Sequence, residues 1–381
     1  MALRAVLLLS VLLAGCAHTS PTLPPPNDLL RDDLFAPSAR PITAAEIFAL
    51  SEPMKRYLDG ELGRSFRNRG VREALVQAVT QGQLKLEYDS AMTRTAAQAF
   101  DARAGNCLSL AVMTAAFAKA LQITVHYNIA DGDLWSRTDN IYFLNAHVNV
   151  SLAKRLADAQ TKYDAAALMT IDFLPGEEIA GLRTHEVDEA TIVAMFMNNR
   201  SAEMLVGGRV DDAYWWAREA VLQGSGYMGA YNTLGVVYLR RGEPSMAERA
   251  FRRVLAREPD NTRALANLAL TLDRLGRSAE AAAVGHELAR FESHAPFYFF
   301  HRGLAAMEAG DYVAARAMFQ KEIDRSPDYH EFHFWLGVAE LKLGNVEKAR
   351  AEIALALENS TTAQEHELYA AKLQRLAVLR R

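Results

Sequence analysis

A thiol, an imidazole and a carboxylate follow one another at Cys107, His147 and Asp172, separated by 40 and then 25 residues. A cysteine thiolate attacks an amide carbonyl, a histidine relays the proton, and a carboxylate fixes the imidazole tautomer. Cys107 lies in Arg103-Ala104-Gly105-Asn106-Cys107-Leu108-Ser109-Leu110-Ala111. Gly105 and Asn106 break the preceding helical pattern, and the run on to Leu121 is helical, so Cys107 falls in a first helical turn. Unsatisfied amides and the helix dipole favour a thiolate there. The amide of Cys107 itself is then a candidate oxyanion donor. On position alone, a buried structural cysteine behaving as a small hydrophobe is an equal alternative.

The elements that must position these groups change period along the chain. Helical patterns cover 44–62, 71–82, 85–101 and 107–121. Ile123, Val125, Tyr127 and Ile129 then alternate with polar residues, as do Leu144, Ala146, Val148, Val150 and Leu152, which predicts half-buried strands. A polar loop over 131–140 joins them, and a third strand over 168–174 ends at Pro175-Gly176. Helices followed by an antiparallel sheet give an α+β domain over 44–193. His147 alternates with Asn145 and Asn149, which places it on a polar strand face, open to a cleft. His126 reads as a core histidine. His185, followed by Glu186, Asp188 and Glu189, reads as the solvated start of a helix near Ala190.

The run from Thr93-Arg94-Thr95-Ala96-Ala97 to Gly105-Asn106-Cys107, with Ala111, Ala118 and Leu121 behind it, resembles the transglutaminase-like core over about residues 85–180. The resemblance implies a papain-like arrangement. Cys107 would be the nucleophile, His147 in Asn145-Ala146-His147-Val148 the base, and Asp172 in Thr170-Ile171-Asp172-Phe173 the orienting residue.

The other cysteine has a different setting. Residues 1–16 read MALRAVLLLSVLLAGC, with Arg4 ahead of an apolar run too short to span a bilayer. Leu13-Ala14-Gly15-Cys16 resembles the bacterial lipobox, which implies a signal peptide over 1–15 and a diacylated Cys16. Ala17 in place of aspartate implies the outer membrane, with the body facing the periplasm and exposure at the cell surface left open. Six of the twelve prolines lie between Pro21 and Pro41, so residues 16–43 read as an extended tether.

The remainder of the chain is periodic. Glycine recurs at Gly208, Gly242, Gly276, Gly310 and Gly344, and alanine at Ala213, Ala247, Ala281, Ala315 and Ala349, all in steps of 34. With Tyr231-Asn232-Thr233-Leu234-Gly235, Tyr238, Phe251 and Pro259, the best copy resembles the tetratricopeptide repeat. Five units follow, over 194–363, and residues 364–381 form a capping helix. The first helices would line a groove for a protein or peptide segment. Phe297, Phe300 and Phe334 are its candidate contacts, or else simple packing between units.

Composition narrows the function further. A net charge of −4 speaks against a nucleic-acid binder. Two cysteines cannot make a zinc cluster, and neither a metal nor a cofactor has a foothold. Two functions stay open. One is an outer-membrane thiol amidase or transamidase acting on a protein or cell-wall peptide. The other is a catalytically silent scaffold lipoprotein of the envelope.

Overall fold

Polar residues at the chain's turns set where its elements begin and end. In a computed structural model the described residues are 26–37, 42–65, 70–81, 84–138, 141–155, 167–173, 183–291 and 297–378. Thr43 and Glu46 close a capping box on α1 (Ala44–Ile47), and Ser51 caps α2 (Glu52–Tyr57), which runs on into a wider turn over Leu58–Leu62. The third helix, α3, spans Val71–Thr80. The helix expected over 85–101 is shorter than its pattern. Lys85 has φ 48°, Glu87–Tyr88 form strand β1, and helix α4 (Ala96–Ala102) starts only after the Thr95 cap. Strand β1 pairs with β2 (Ala104–Gly105), and helix α5 (Cys107–Ala120) follows directly.

The main sheet has four antiparallel strands, in the order β5 (Leu168–Ile171), β4 (Ile141–Ala153), β3 (Val125–Thr138), β6 (Arg183–Val187). Two expectations fail here. The loop over 131–140 is mostly ribbon, because β3 continues to Thr138 and β4 begins at Ile141. Arg183–Val187, around His185, is an edge strand and no part of the helix, which starts at Glu189, close to the expected Ala190, with the Asp188 carboxylate as its cap. His126 accordingly sits half-exposed against Glu186 of that edge, Nδ1 to Oε1 2.7 Å, not in the core.

Ten helices after the sheet form five consecutive pairs. They are α6 (Glu189–Val206) with α7 (Val210–Gln223), α8 (Met228–Arg241) with α9 (Pro244–Arg257), and α10 (Thr262–Arg274) with α11 (Ser278–Phe291). Then come α12 (Tyr298–Glu308) with α13 (Tyr312–Ile323), and α14 (His330–Lys342) with α15 (Val346–Glu358). Helix α16 (Ala363–Val378) packs on α15. Each ladder glycine lies between the helices of a pair at φ 71–89°, a conformation open to glycine at little cost. The ladder alanines are buried at the crossings. In the second pair the first helix presents Gly235, where a Cβ would stand 2.5 Å from the Phe251 ring. The first pair has Ser201 at the equivalent place, and its hydroxyl donates to the carbonyl of Ala213.

The α+β region and the first three helix pairs share one apolar core that reaches Ala281. A second cluster runs from Phe297 to Ala339, and a third joins α15 to α16.

The tether requires correction over residues 26–37. Two short 3₁₀ turns, Pro26–Leu29 and Asp32–Leu34, lie against the first two helix pairs. Leu29 and Phe35 are buried there, and Phe35 stacks on Tyr214 at 3.9 Å. Prolines suited the segment to an extended path. Two apolar anchors and two carboxylates, Asp28 and Asp32, fasten that path to the solenoid.

Candidate active site

Asn106 sets the geometry of the cysteine. It is extended ahead of α5, and its side chain accepts the Ser109 amide at 2.8 Å. That cap leaves the amides of Cys107 and Leu108 without intrahelical acceptors. Gly105 is required just upstream, since a Cβ there would stand 2.7 Å from Ser109 Cβ. The Asn106 amide donates to Thr93 Oγ1 at 3.0 Å, and the Ser109 hydroxyl accepts the Arg94 amide at 2.8 Å. The Thr93 amide in turn donates to Glu203 of α6 at 2.6 Å. Glu203 also pairs with Arg200, and its burial pushes its carboxyl pKa up despite these contacts. The first solenoid helix therefore braces the turn that carries Cys107.

His147 and Asp172 arrive from the sheet. On β4, Val148, Val150 and Leu152 are buried on one face and His147, Asn149 and Ser151 are buried on the other. The face expected to open on a cleft is instead a hydrogen-bonded polar ladder. Asn128 donates to Asn149 and to Ser151, and Ser151 bonds Thr170. At the ladder's end His147 Nε2 donates to Asp172 Oδ1 and Oδ2 at 2.7 and 2.8 Å, and Asn149 Nδ2 holds Oδ2 at 3.0 Å. Asn149 is a positioning residue that its strand alternation marked only as polar. Long-range partners such as Glu203 left no sequence signal.

The other ring nitrogen, Nδ1, is buried without a hydrogen-bond partner. Burial draws the imidazole pKa down, but the Asp172 carboxylate and the neighbouring Cys107 side chain outweigh it, raising it to about 9. Cys107 is a free, buried thiol. The structure thus brings Cys107, His147 and Asp172 into one cluster, with Asp172 on Nε2 and the Cys107 side chain close enough to His147 to raise its pKa. Chemically, the arrangement can hold an imidazolium beside a sulfur at neutral pH.

The aromatic groove is corrected. Phe297 and Phe300 are 2% and 0% exposed, packed with Phe319 and Phe332 between the fourth and fifth pairs. Phe334 is half-buried against Tyr369 of α16. These rings fill the spaces between units and do not line an open groove. His330 bonds Tyr369, and His333 bonds Glu352 and the Pro327 carbonyl. Among the described residues no group of three or more His, Cys, Asp or Glu side chains could hold a metal ion. Cys16 lies outside the described residues.

Comparison with known proteins adds one assignment. The family model described as tetratricopeptide repeat matches residues 232–296 and 300–363. The carboxyl-terminal half is built of tetratricopeptide repeats. No curated protein sequence matches the chain. Among solved structures, pilF of Pseudomonas aeruginosa is 19% identical, covering 51% of this chain and 88% of that one at a TM-score of 0.30. A thermophilic repeat protein of Thermus thermophilus, TTC0263, is 21% identical, covering 48% and 99%, also at 0.30. YrrB, described as a repeat protein with an unusual peptide-binding site, is 19% identical, covering 47% and 92% at 0.26.

Proposed function

We propose that the chain is a protein-binding scaffold of the bacterial cell envelope, held at the outer membrane through Cys16, with its tetratricopeptide repeats engaging a segment of another protein. The observation that carries this reading is the repeat array itself. Stacked helix pairs present a continuous surface whose first helices are free to take an extended or helical segment. Leu270, on the first helix of the third repeat, is 48% exposed, although the helix around it is largely apolar. A photo-crosslinking residue at position 270 should yield one discrete adduct in cells, and the same residue at Val313, on a second helix, should not. Absence of any adduct from the first helices sinks the scaffold reading.

A second reading is favoured by the cluster at His147. Its support is the carboxylate on Nε2 together with a thiol, at the first turn of a helix, that raises the imidazole pKa. In this reading the Cys107 thiolate attacks an amide carbonyl and the imidazolium protonates the departing amine. The resulting thioester passes its acyl group to another amine or to water. Donors for the developing oxyanion include the unoccupied amide of Cys107. The test is a p-nitrophenyl acetate trap read by intact mass. A thioester on Cys107 in the native chain, and none in His147→Ala, is the expected result. No adduct on the native chain removes the thiol reading and leaves the scaffold alone.

A further inference from the structure

Residues 28–35 are held between α7, α8 and α9 of repeats one and two by contacts that resemble recognition of a ligand more than closure of a linker. Asp28 meets two cations, Arg253 at 2.8 Å and Arg249 at 3.1 Å. Arg253 is only 8% exposed, so its charge needs an anion in place. The Leu29 side chain is 1% exposed, and its carbonyl accepts the Tyr238 hydroxyl. Asp32 accepts from Tyr214 Oη at 2.6 Å and from Arg218 Nε at 3.0 Å. Phe35 lies between the Tyr214 ring and the Arg241 guanidinium, 5.4 Å from its centroid. The main chain beyond is held at Ala36, whose amide donates to Asp211 and whose carbonyl accepts from Trp215 Nε1.

Two carboxylate pockets, one leucine slot and one aromatic shelf make a complete peptide site. We infer that this face of repeats one and two is a binding site for short acidic–aromatic peptide segments, of the pattern Asp-Leu-x-x-Asp-x-x-Phe, and that residues 28–35 fill it in cis. A segment of the same chemistry on a partner protein therefore competes with the chain's own strap. The site includes neither Leu270 nor Cys107, and neither proposed function is needed for it.

The cis occupant sets the expected numbers. A short tether holds its segment at an effective concentration of about 1 mM, so a peptide of roughly 10 μM intrinsic affinity is held off about 100-fold. The probe is a fluorescein-labelled peptide of residues 26–37, followed by anisotropy against the full chain. With Asp28→Lys and Phe35→Ala in the chain, the strap loses its anchors, and the probe should bind about 100-fold more tightly than to the unmodified chain. A scrambled peptide of the same composition should not bind. Adding Arg253→Ala to the released chain should abolish probe binding. If the double variant loses its helical circular dichroism signal, Asp28→Asn, which keeps Phe35 in the core, is titrated in its place and should gain about tenfold. The inference is overturned if the strap-released chain binds the probe no better than the unmodified one, or if the scrambled peptide binds equally well.

Discussion

The carboxylate on His147 makes a sharp demand on the protonation of its ring. His147 is raised from 6.5 to about 9, which favours its imidazolium by roughly 3 kcal/mol. Its folded pKa lies above its unfolded one, so this stabilisation is complete below about pH 6.5 and is lost as pH rises through 9. Across this window the ring keeps both protons. Long-range proton–nitrogen spectra of the imidazole, followed across the neutral and alkaline range, should show His147 titrating with a midpoint near 9. Asp172→Asn removes the carboxylate that accepts from Nε2. Burial then acts with less opposition, and the midpoint should fall toward or below the ordinary value of about 6.5. A native midpoint at or below about 6.5, or one that Asp172→Asn leaves unmoved, refutes the electrostatic reading of this pair.

Other expectations concern packing, acid–base balance and anchoring. Ala315 is fully buried at its crossing, so Ala315→Phe should cost about 1–3 kcal/mol in thermal melts, and Ala314→Phe measurably less. The His333 pKa is also raised: burial lowers it, but the Glu352 hydrogen bond outweighs that. Their pairing stabilises the end of the solenoid below the unfolded pKa of about 6.5 and fades as pH rises through the raised folded one, so Glu352→Gln should cost about 1–2 kcal/mol in mild acid and progressively less as pH rises, in chemical denaturation. Cys16→Ser should move the protein out of the membrane fraction or leave it unprocessed. Unchanged fractionation refutes acylation at that residue.

The sequence carried the repeats because their requirements are local and periodic. A glycine at positive φ and an alanine at a crossing recur every 34 residues whatever surrounds them. The position of Cys107 was legible for a similar reason, since Gly105-Asn106 is a local start signal. The misses involve partners far away in the chain. Arg183–Val187 shows no apolar alternation because it is an edge strand with charged residues. Phe297 and Phe300 looked like groove residues because a first-helix position does not reveal whether the next repeat covers it. The turn around Cys107 relies on Glu203, which holds the Thr93 amide from 110 residues along the chain, and the proline-rich segment takes its shape from tyrosines and arginines of the repeats.

The docked strap also fixes a leash. With Cys16 acylated, only residues 17–25 separate the lipid from Pro26, where the strap's first turn begins. Ten peptide steps span at most about 35 Å when fully stretched, little more than the thickness of a bilayer's hydrocarbon core. The scaffold would then be moored by its flank, with repeats one and two nearest the headgroups. Its encounters would become a search in two dimensions, among neighbours sharing the same leaflet. Release of the strap would add residues 26–37 to the leash, more than doubling its reach to about 80 Å. Occupancy of one small peptide site would thereby set how far from the membrane the rest of the molecule can work.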